Sequence, residues 1–468
     1  MKYWLIMMGI LLYGFNGFNQ TVDVQRISKK TDSLVRAYEQ LGIFSGVVLL
    51  AEKGTPFYHK AFGLSDRLYN IPNTVQTQFI IGSMNKSFTQ TIILQLMDEQ
   101  RLQLSDNMVH YLDGFHQPKA GNITIQQLVE HSSGFGDYHG PDFFNLPYEQ
   151  KNSSGILSLI KNLDLLFEPG TEHAYSNAGY IVLGAIIEKI TGKSYAQNVE
   201  ERIVKPLGLT TLVTKNIKEF PNRAIGYIKT IQGYKNNEDF VFEPRSDGGF
   251  YCTAKDMLTF YRSYFYDTVL FSNSARNKSE FFNTIKPAYH QRGSGIPIAG
   301  GFNGANTVHF EMLHDQISIL VFANMDEPVA EKLALGIHKI INNKQPEKAE
   351  LPTMLRVYKA YQDFGKNYVK KNFNMLIEQW FEGDPKDRIL NNLGYELLQL
   401  QKRTEAIEIF KLNTELFADI GNCWDSLGEA LRLNNQNKEA LEAYRMALKH
   451  SPQLKSAQKA IFELEQKH

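Results

Sequence analysis

The sequence predicts an α+β domain followed by an all-α helical repeat region. Strand-like apolar segments occur near the start and the end of the first part of the chain, and helix-like segments lie between them. That order predicts a mixed-order antiparallel sheet with a helical subdomain. Beyond residue 352 the pattern is helical only, and it repeats with a period of 34 residues.

Local patterns predict the elements of the first domain in order. An amphipathic helix is expected at 25–42, followed by a hairpin with strands at 44–51 and 56–63. Later strands are expected at 224–231, 239–243, 249–252, 296–301, 307–313 and 317–324. Helices are expected at 88–96, 123–131, 180–190, 253–264 and 328–342.

The first 20 residues read as a secretory signal peptide. Lys2 supplies a positive charge, and the apolar stretch from Trp4 to Phe15 is too short to remain as a membrane-spanning helix. We therefore expect an exported protein, periplasmic or secreted, with cleavage near residues 17–20. A retained N-terminal anchor is the alternative.

Charge and cysteine content exclude several classes of function. The 50 basic and 50 acidic residues cancel, so no overall field points to nucleic acid or to an anionic membrane. Cys252 and Cys423 fall in different predicted domains, and both are expected to be free and structural. The sequence contains no motif for a metal, a phosphate loop or a cofactor.

A serine three residues before a lysine marks the candidate reactive centre. The pattern occurs as Ser83/Lys86, Ser158/Lys161 and Ser456/Lys459, and the last two lie on amphipathic helices whose surface positions they fit. Only Ser83 follows an apolar strand-like run and precedes a helix too apolar to be exposed. If Ser83 opens that helix, its hydroxyl and the Lys86 ammonium converge on one face, which favours a nucleophilic serine.

A second polar segment comes 92 residues later. Tyr175 and Asn177 follow a predicted turn at Pro169-Gly170 and lie just before another apolar helix. The same Tyr-x-Asn spacing at Tyr234 lies in a polar loop and carries no such context. His131 could act as a base, but a histidine at a helix end bonded to loop backbone is the favoured interpretation.

The C-terminal region shows an internal repeat. Equivalent positions 34 residues apart pair Leu390 with Trp424, Leu393 with Leu427, Gly394 with Gly428, Ala406 with Ala440, and Phe410 with Tyr444. This register resembles tetratricopeptide repeats, and residues 353–385 fit a degenerate first unit. The resemblance implies that Trp424 and Tyr444 are core residues and that the repeats engage a protein partner or a second copy.

The motifs of the first domain together resemble the serine β-lactamase and penicillin-binding protein superfamily. They are Ser83-Met-Asn-Lys86, Leu128-Val-Glu-His-Ser-Ser-Gly134, Phe167-Glu-Pro-Gly170, Tyr175-Ser-Asn177, Pro206-Leu-Gly-Leu209 and Ile298-Ala-Gly-Gly301. The most similar branch contains class C β-lactamases, DD-carboxypeptidases and esterases. The resemblance covers about residues 30–340 and implies a β-lactamase-like antiparallel sheet with helices on both faces.

The resemblance also implies a role for each site residue. Ser83 would form an acyl-enzyme, Lys86 would assist its proton transfer, and Asn177 would orient Lys86 and the substrate. Tyr175 would be the general base, which requires that nearby cations lower the pKa of its phenol. The backbone N–H groups of Ser83 and Gly301 would form the oxyanion hole.

The third motif departs from the family. Ile298, Ala299 and Gly300 stand where the family usually has Lys or His, then Thr or Ser, then Gly. A substrate carboxylate thus loses its usual anchor, which favours a neutral ester or amide. A hairpin turn at 302–305 would set Ile298 opposite His309, and His309 could then supply the missing charge, although a buried sheet histidine is the favoured interpretation.

These observations predict four segments and one leading function. The segments are a signal peptide (1–20), a serine hydrolase domain (21–342), a linker (343–352) and tetratricopeptide-like repeats (353–468). The leading function is hydrolysis of an ester or amide, peptide-like or β-lactam-like, through an acyl-enzyme on Ser83. The alternative is a catalytically weak or inactive binding module whose repeats engage a protein partner.

Overall fold

A computed structural model describes residues 23–116, 120–214, 220–326, 328–378 and 385–466. The predicted signal peptide lies outside these residues. The chain divides into two compact units, Met1–Lys229 with Lys235–Ala349, and Thr230–Tyr234 with Glu350–His468. Within the described ranges, none of the helices combines the length and apolar character needed to cross a membrane.

The strands of the described chain are short except in the main sheet. They are β1 Gly46–Glu52, β2 Thr55–Phe62, β3 Leu64–Asp66, β4 Ile71–Pro72, β5 Phe79–Ile80, β6 Tyr227–Thr230, β7 Gly233–Asn236, β8 Tyr251–Cys252, β9 Ile296–Phe302, β10 Ala305–Met312 and β11 Ile317–Ala323.

The α-helices of the first unit surround that sheet and build the subdomain beside it. They are α1 Val24–Gln40, α2 Lys86–Asp98, α3 Ile125–Val129, α4 Pro141–Asn145, α5 Ser153–Ile160, α6 Asn177–Thr191, α7 Tyr195–Val199, α8 Lys205–Leu207, α9 Ala254–Tyr266, α10 Asn273–Lys278, α11 Glu280–Ile285 and α12 Val329–Ile341. A π-helix spans Glu200–Val204 between α7 and α8.

The α+β prediction is confirmed by the main sheet, which is antiparallel and has the order β2-β1-β11-β10-β9. Side chains alternate between its two faces, as the strand pleat requires. His309 of β10 stacks on Tyr261 of α9, whereas its neighbour Phe310 packs against His338 of α12. Helices therefore cover both faces.

Helix α2 runs through the interior of this unit. Lys86 to Leu94 and Leu96 are all buried, which agrees with the prediction of a helix too apolar for the surface. Its apolar side chains join one core with those of α6, α9 and the sheet. Because the helix begins at the candidate reactive segment, this core holds that segment rigidly.

The second unit is all-helical. Its helices are α13 Thr353–Leu376, α14 Asp387–Gln399, α15 Arg403–Leu416, α16 Gly421–Leu433, α17 Asn437–His450 and α18 Lys455–Glu465. The pair α16–α17 begins 34 residues after α14–α15, at 387 to 421 and at 403 to 437. A Cβ added at Gly394 would meet the Phe410 ring at 2.5 Å, and one added at Gly428 would meet the Tyr444 ring at 2.8 Å. Glycine is thus needed at the same place in each pair, where an aromatic ring touches the backbone.

One predicted strand is wrong. Residues 239–243 were expected to be extended, but Glu238–Phe240 forms a 3₁₀ turn. The preceding Asn237 explains the difference, since its side chain accepts from Gly226 N at 3.1 Å and donates to Asn303 O at 2.8 Å. These bonds close a turn where the apolar pattern alone indicated a strand. Cys252 and Cys423 are free and buried, as expected.

Candidate active site

Ser83 lies in a tight turn between β5 and α2. Residues Gly82–Asn85 form a 3₁₀ turn, and the α-helix itself begins at Lys86, so Ser83 lies in the turn just before the helix. Gly82 has φ +49, and a Cβ there would lie 2.8 Å from Gly301 O. Glycine is therefore required at position 82 both by its left-handed conformation and by the close approach of β9.

Lys86 is the centre of the hydrogen-bond network. Its Nζ donates to Ser83 Oγ at 3.0 Å, to Asn177 Oδ1 at 2.8 Å and to the backbone oxygen of Asp247 at 2.6 Å. These three bonds use all the donors of an ammonium group. Burial lowers the pKa of Lys86 to about 8, although the negative charges of Asp247 and Asp137 oppose the effect. A fraction of Lys86 is thus neutral near physiological pH.

Tyr175 approaches Ser83 from the other side. Its hydroxyl donates to Ser83 Oγ at 2.7 Å, and Lys86 Nζ lies 4.9 Å from the centre of its ring. The sequence interpretation required a lowered phenol pKa, but burial raises the pKa of Tyr175 well above its usual value despite the hydrogen bond with Ser83. In the resting site Tyr175 is therefore a neutral donor.

His131 takes the structural position that the sequence analysis favoured. Ser176 N donates to its Nδ1 at 3.1 Å, and its ring stacks on that of Tyr175 at 4.7 Å. Burial lowers the pKa of His131 to about 3, and the charge of Lys86 adds to the effect. A neutral His131 thus buttresses Tyr175 without adding a positive charge.

Asn177 connects Lys86 to a carboxylate that the sequence analysis did not single out. Its Oδ1 accepts from Lys86, and its Nδ2 donates to Asp137 Oδ1 at 3.3 Å. His139 Nδ1 lies 2.6 Å from the same oxygen. Asn177 is the first residue of α6, and the side chain of Ser176 caps that helix, which fixes the orientation of the amide.

The segment 245–248 forms the floor of the site and was also missed. Asn85 Nδ2 donates to Arg245 O at 2.7 Å, and Lys86 Nζ binds Asp247 O. The Arg245 and Asp247 side chains form a buried pair with Nε and Oδ1 3.4 Å apart, and Tyr138 Oη donates to Asp247 Oδ2 at 2.6 Å. In the sequence, the feature that could have indicated this segment is the charged pair directly before Gly248-Gly249.

The third predicted motif lies on β9, the edge strand of the sheet. A Cβ added at Gly300 would lie 1.9 Å from Ile81 O and 3.0 Å from Ser83 N, so β9 touches the backbone of the Ser83 turn. Gly301 follows on the same strand, and a Cβ at Gly82 would lie 2.9 Å from its N atom. The structure thus places the backbone of Gly300 and Gly301 directly beside that of Gly82 and Ser83. Ile298 and Ala299 precede them and contribute no polar side chain.

His309 is opposite Ile298, as the predicted register required. It is fully buried, with its ring 4.1 Å from that of Tyr261 and its Nε2 2.9 Å from Glu311 Oε2. These contacts lie between the sheet and α9. The structure therefore brings Ser83, Lys86, Tyr175 and Asn177 together by direct hydrogen bonds, and it gives His309 other partners.

Comparison with known proteins identifies the family to which the chain belongs. The family model described as Beta-lactamase matches residues 31–332. Penicillin-binding protein 4* of Bacillus subtilis (strain 168) is 26% identical over 344 residues, covering 65% of this chain and 74% of that protein. A teichoic acid D-alanine hydrolase of Staphylococcus aureus is 32% identical over 172 residues, covering 37% and 41%. The octameric penicillin-binding protein homologue from Pyrococcus abyssi superposes with a TM-score of 0.61 at 21% identity, covering 72% and 81%, which shows a shared fold.

Proposed function

Because the chain belongs to the beta-lactamase family of serine hydrolases, we propose that it cleaves an ester or amide through an acyl-enzyme on Ser83. The observation that carries this proposal is the pair of hydrogen bonds at Ser83 Oγ, from Lys86 at 3.0 Å and from Tyr175 at 2.7 Å. A serine hydroxyl attacks a carbonyl only when a neighbouring base removes its proton. Both candidate proton carriers contact this oxygen directly.

The pKa directions support a division of roles between the two carriers. Lys86, with a pKa of about 8, takes the Ser83 proton in its neutral form as Oγ bonds to the substrate carbonyl carbon. Tyr175 then gives its proton to the leaving group as the scissile bond breaks, and Lys86 returns a proton to the phenolate. In deacylation these steps run in reverse, with water in place of the leaving group. Water gives a proton to Tyr175 as its oxygen bonds to the acyl carbon, Tyr175 passes its own proton to Lys86, and Lys86 returns one to Ser83 Oγ as the bond from Oγ to the acyl carbon breaks and the acid leaves.

The negative oxygen of the tetrahedral intermediate needs donors that are already in place. The N–H groups of Ser83 and Gly301 suit this role because β9 packs directly on the Ser83 turn. Fixed donors of this kind are worth on the order of 100- to 1000-fold in rate. The rigid contact between Gly300 and Ile81 keeps them aligned.

The substrate we propose is a neutral or cationic ester or amide, with no carboxylate for the third motif to bind. Ile298 and Ala299 supply neither a cation nor a hydroxyl at that position. One relative is named a teichoic acid D-alanine hydrolase and another a penicillin-binding protein. Because the third motif has no cation, the name of the hydrolase is the better indication of the substrate of this chain.

The remaining segments complete the proposal. We propose that residues 1–20 direct export, that 21–342 are the hydrolase domain, and that 343–352 link it to tetratricopeptide-like repeats at 353–468. Relatives whose names concern penicillin and teichoic acid support a site of action outside the cytoplasm. The 34-residue spacing of the helix pairs supports repeats that bind a protein partner or a second copy.

Labelling with a fluorophosphonate probe, read by intact-protein mass spectrometry, tests the reactive serine. Wild type should gain one adduct, and Ser83→Ala should gain none. Ser158→Ala is the matched control, because Ser158 also precedes a lysine by three residues but is exposed on α5. Labelling that persists in Ser83→Ala would contradict the proposal. An Ile298→Lys variant that alone is labelled would show that loss of the third-motif cation has inactivated the site.

A further inference from the structure

Asp137 is a carboxylate near Ser83 that remains in contact with solvent. Arg245 and Asp247 are both buried and lie against each other, so neither side chain is open to a ligand. Lys86 uses its three N–H donors in hydrogen bonds to Ser83, Asn177 and Asp247 in the interior. Asp137 is different, because 42% of its side-chain surface is exposed to solvent. Its position next to Asn177 puts this charge at the edge of the site.

The hydrogen bonds of Asp137 are unevenly divided between its two oxygens. Oδ1 accepts from His139 N at 3.2 Å and from Asn177 Nδ2 at 3.3 Å, and His139 Nδ1 lies 2.6 Å away. Among the residues that the structure describes, no bond ends on Oδ2. The side chain is thus held in place through one oxygen while the other remains available.

Asp137 is ionised under ordinary conditions. Burial acts to raise its pKa, but the hydrogen bonds and charge of His139, together with the bond from Asn177, outweigh burial and hold the pKa below its usual value. A fixed, ionised carboxylate with a vacant oxygen is suited to a charge-assisted hydrogen bond from a cation.

We propose that Asp137 Oδ2 binds an ammonium group on the acyl part of the substrate, which makes the substrates aminoacyl esters or amides. The inference rests on the proposed hydrolase function. Lys86 and Tyr175 deliver a proton to the leaving group, so that group lies against them. Asn177 lies between Lys86 and Asp137, so the proposal places the acyl part on the side of Asp137. With no cation at Ile298 or Ala299, nothing in the third motif repels an ammonium.

The test compares hydrolysis of alanine ethyl ester, in both D and L forms, with that of ethyl isobutyrate, which has a methyl group in place of the ammonium. Assays run at pH 6.5, where an α-amino group of pKa about 7.7–8.0 is largely protonated. Asp137→Asn removes the charge and keeps the shape. It should lower kcat/KM on an alanine ester about tenfold relative to the isobutyrate ester, the range of a hydrogen bond to a charged group.

Asp142→Asn is the matched control, because Asp142 is an exposed carboxylate five positions along the same segment. It should leave the ratio of the two substrates unchanged. An equal loss on both esters in Asp137→Asn would overturn the proposal, since it would mean that Asp137 only positions Asn177. An unchanged ratio would overturn it as well.

Binding to an inactive protein separates this inference from the proposed function. Calorimetry with alanine ethyl ester and the Ser83→Ala variant should give a dissociation constant that rises about tenfold when Asp137→Asn is added. Absence of fluorophosphonate labelling on wild type would reject the hydrolase while this binding result still decides the role of Asp137. Equal binding by the two variants would reject the ammonium site alone.

Discussion

Alanine at position 300 should disable the site without touching any reactive side chain. The added Cβ would lie 1.9 Å from Ile81 O, 2.8 Å from Ile81 C and 3.0 Å from Ser83 N. All three atoms are backbone atoms of the turn that carries Ser83. Since none of them can rotate away as a side chain does, the turn and β9 must separate.

The size of that separation follows from ordinary atomic contacts. Moving a carbon from 1.9 Å to about 3.2 Å from a carbonyl oxygen requires a shift of roughly 1.3 Å. Oxyanion-hole donors act at about 2.7–3.1 Å, so a shift of this size takes the Gly301 N–H out of range. We expect kcat to fall on the order of 100-fold, with a loss of about 1–3 kcal/mol in the free energy of unfolding from overpacking.

The assay is steady-state hydrolysis of a chromogenic butyrate ester, with thermal unfolding measured on the same samples. Gly121→Ala is the control, because a Cβ at Gly121 meets nothing within 4 Å. This variant should keep both kcat and stability. A folded Gly300→Ala protein with kcat within a few-fold of wild type would refute the placement of the oxyanion hole between β9 and the Ser83 turn.

Two further predictions concern charge. Burial lowers the pKa of Lys86 from 10.5 to about 8, so the fraction of neutral Lys86 grows as the pH rises. The value of kcat/KM should therefore increase with pH, with an apparent pKa near 8. A flat or falling profile between pH 7 and 9 would reject Lys86 as the base. Asp247→Asn leaves Arg245 charged and buried without its partner, and urea unfolding should show a loss of about 3 kcal/mol. Glu201→Gln, which breaks an exposed pair with Lys193, should leave stability unchanged, and equal effects of the two variants would contradict this account.

Local patterns predicted the elements that touch Ser83 because each of those elements is determined by a short stretch of sequence. The apolar run before Gly82, the buried helix after Lys86 and the register of β9 with β10 are all local or nearly so. The register followed from alternation on either side of a two-residue turn. The face to which His309 points could not be obtained in this way, because it depends on which helix packs there.

The floor of the site escaped prediction for a related reason. The backbone oxygen of Arg245 accepts from Asn85 and that of Asp247 accepts from Lys86, about 160 residues apart in the sequence. In the sequence they read as a polar loop between apolar segments. Asp137, in the loop between α3 and α4, is likewise tied to the site by Asn177, which begins α6 forty residues later. Such partners are set by the folded chain and leave no periodic trace in the sequence.

The electrostatics of this floor bear on which residue is the base. A tyrosine can serve only if cations lower its pKa, and the third motif offers none at Ile298 or Ala299. Asp247 and Asp137 act in the opposite direction and raise the pKa of Tyr175 beyond the effect of its burial. The same two carboxylates keep the pKa of Lys86 from falling further than about 8. The absence of a third-motif cation and the presence of these acids act in the same direction, and both support the proposal that Lys86 removes the proton of Ser83 and Tyr175 donates one.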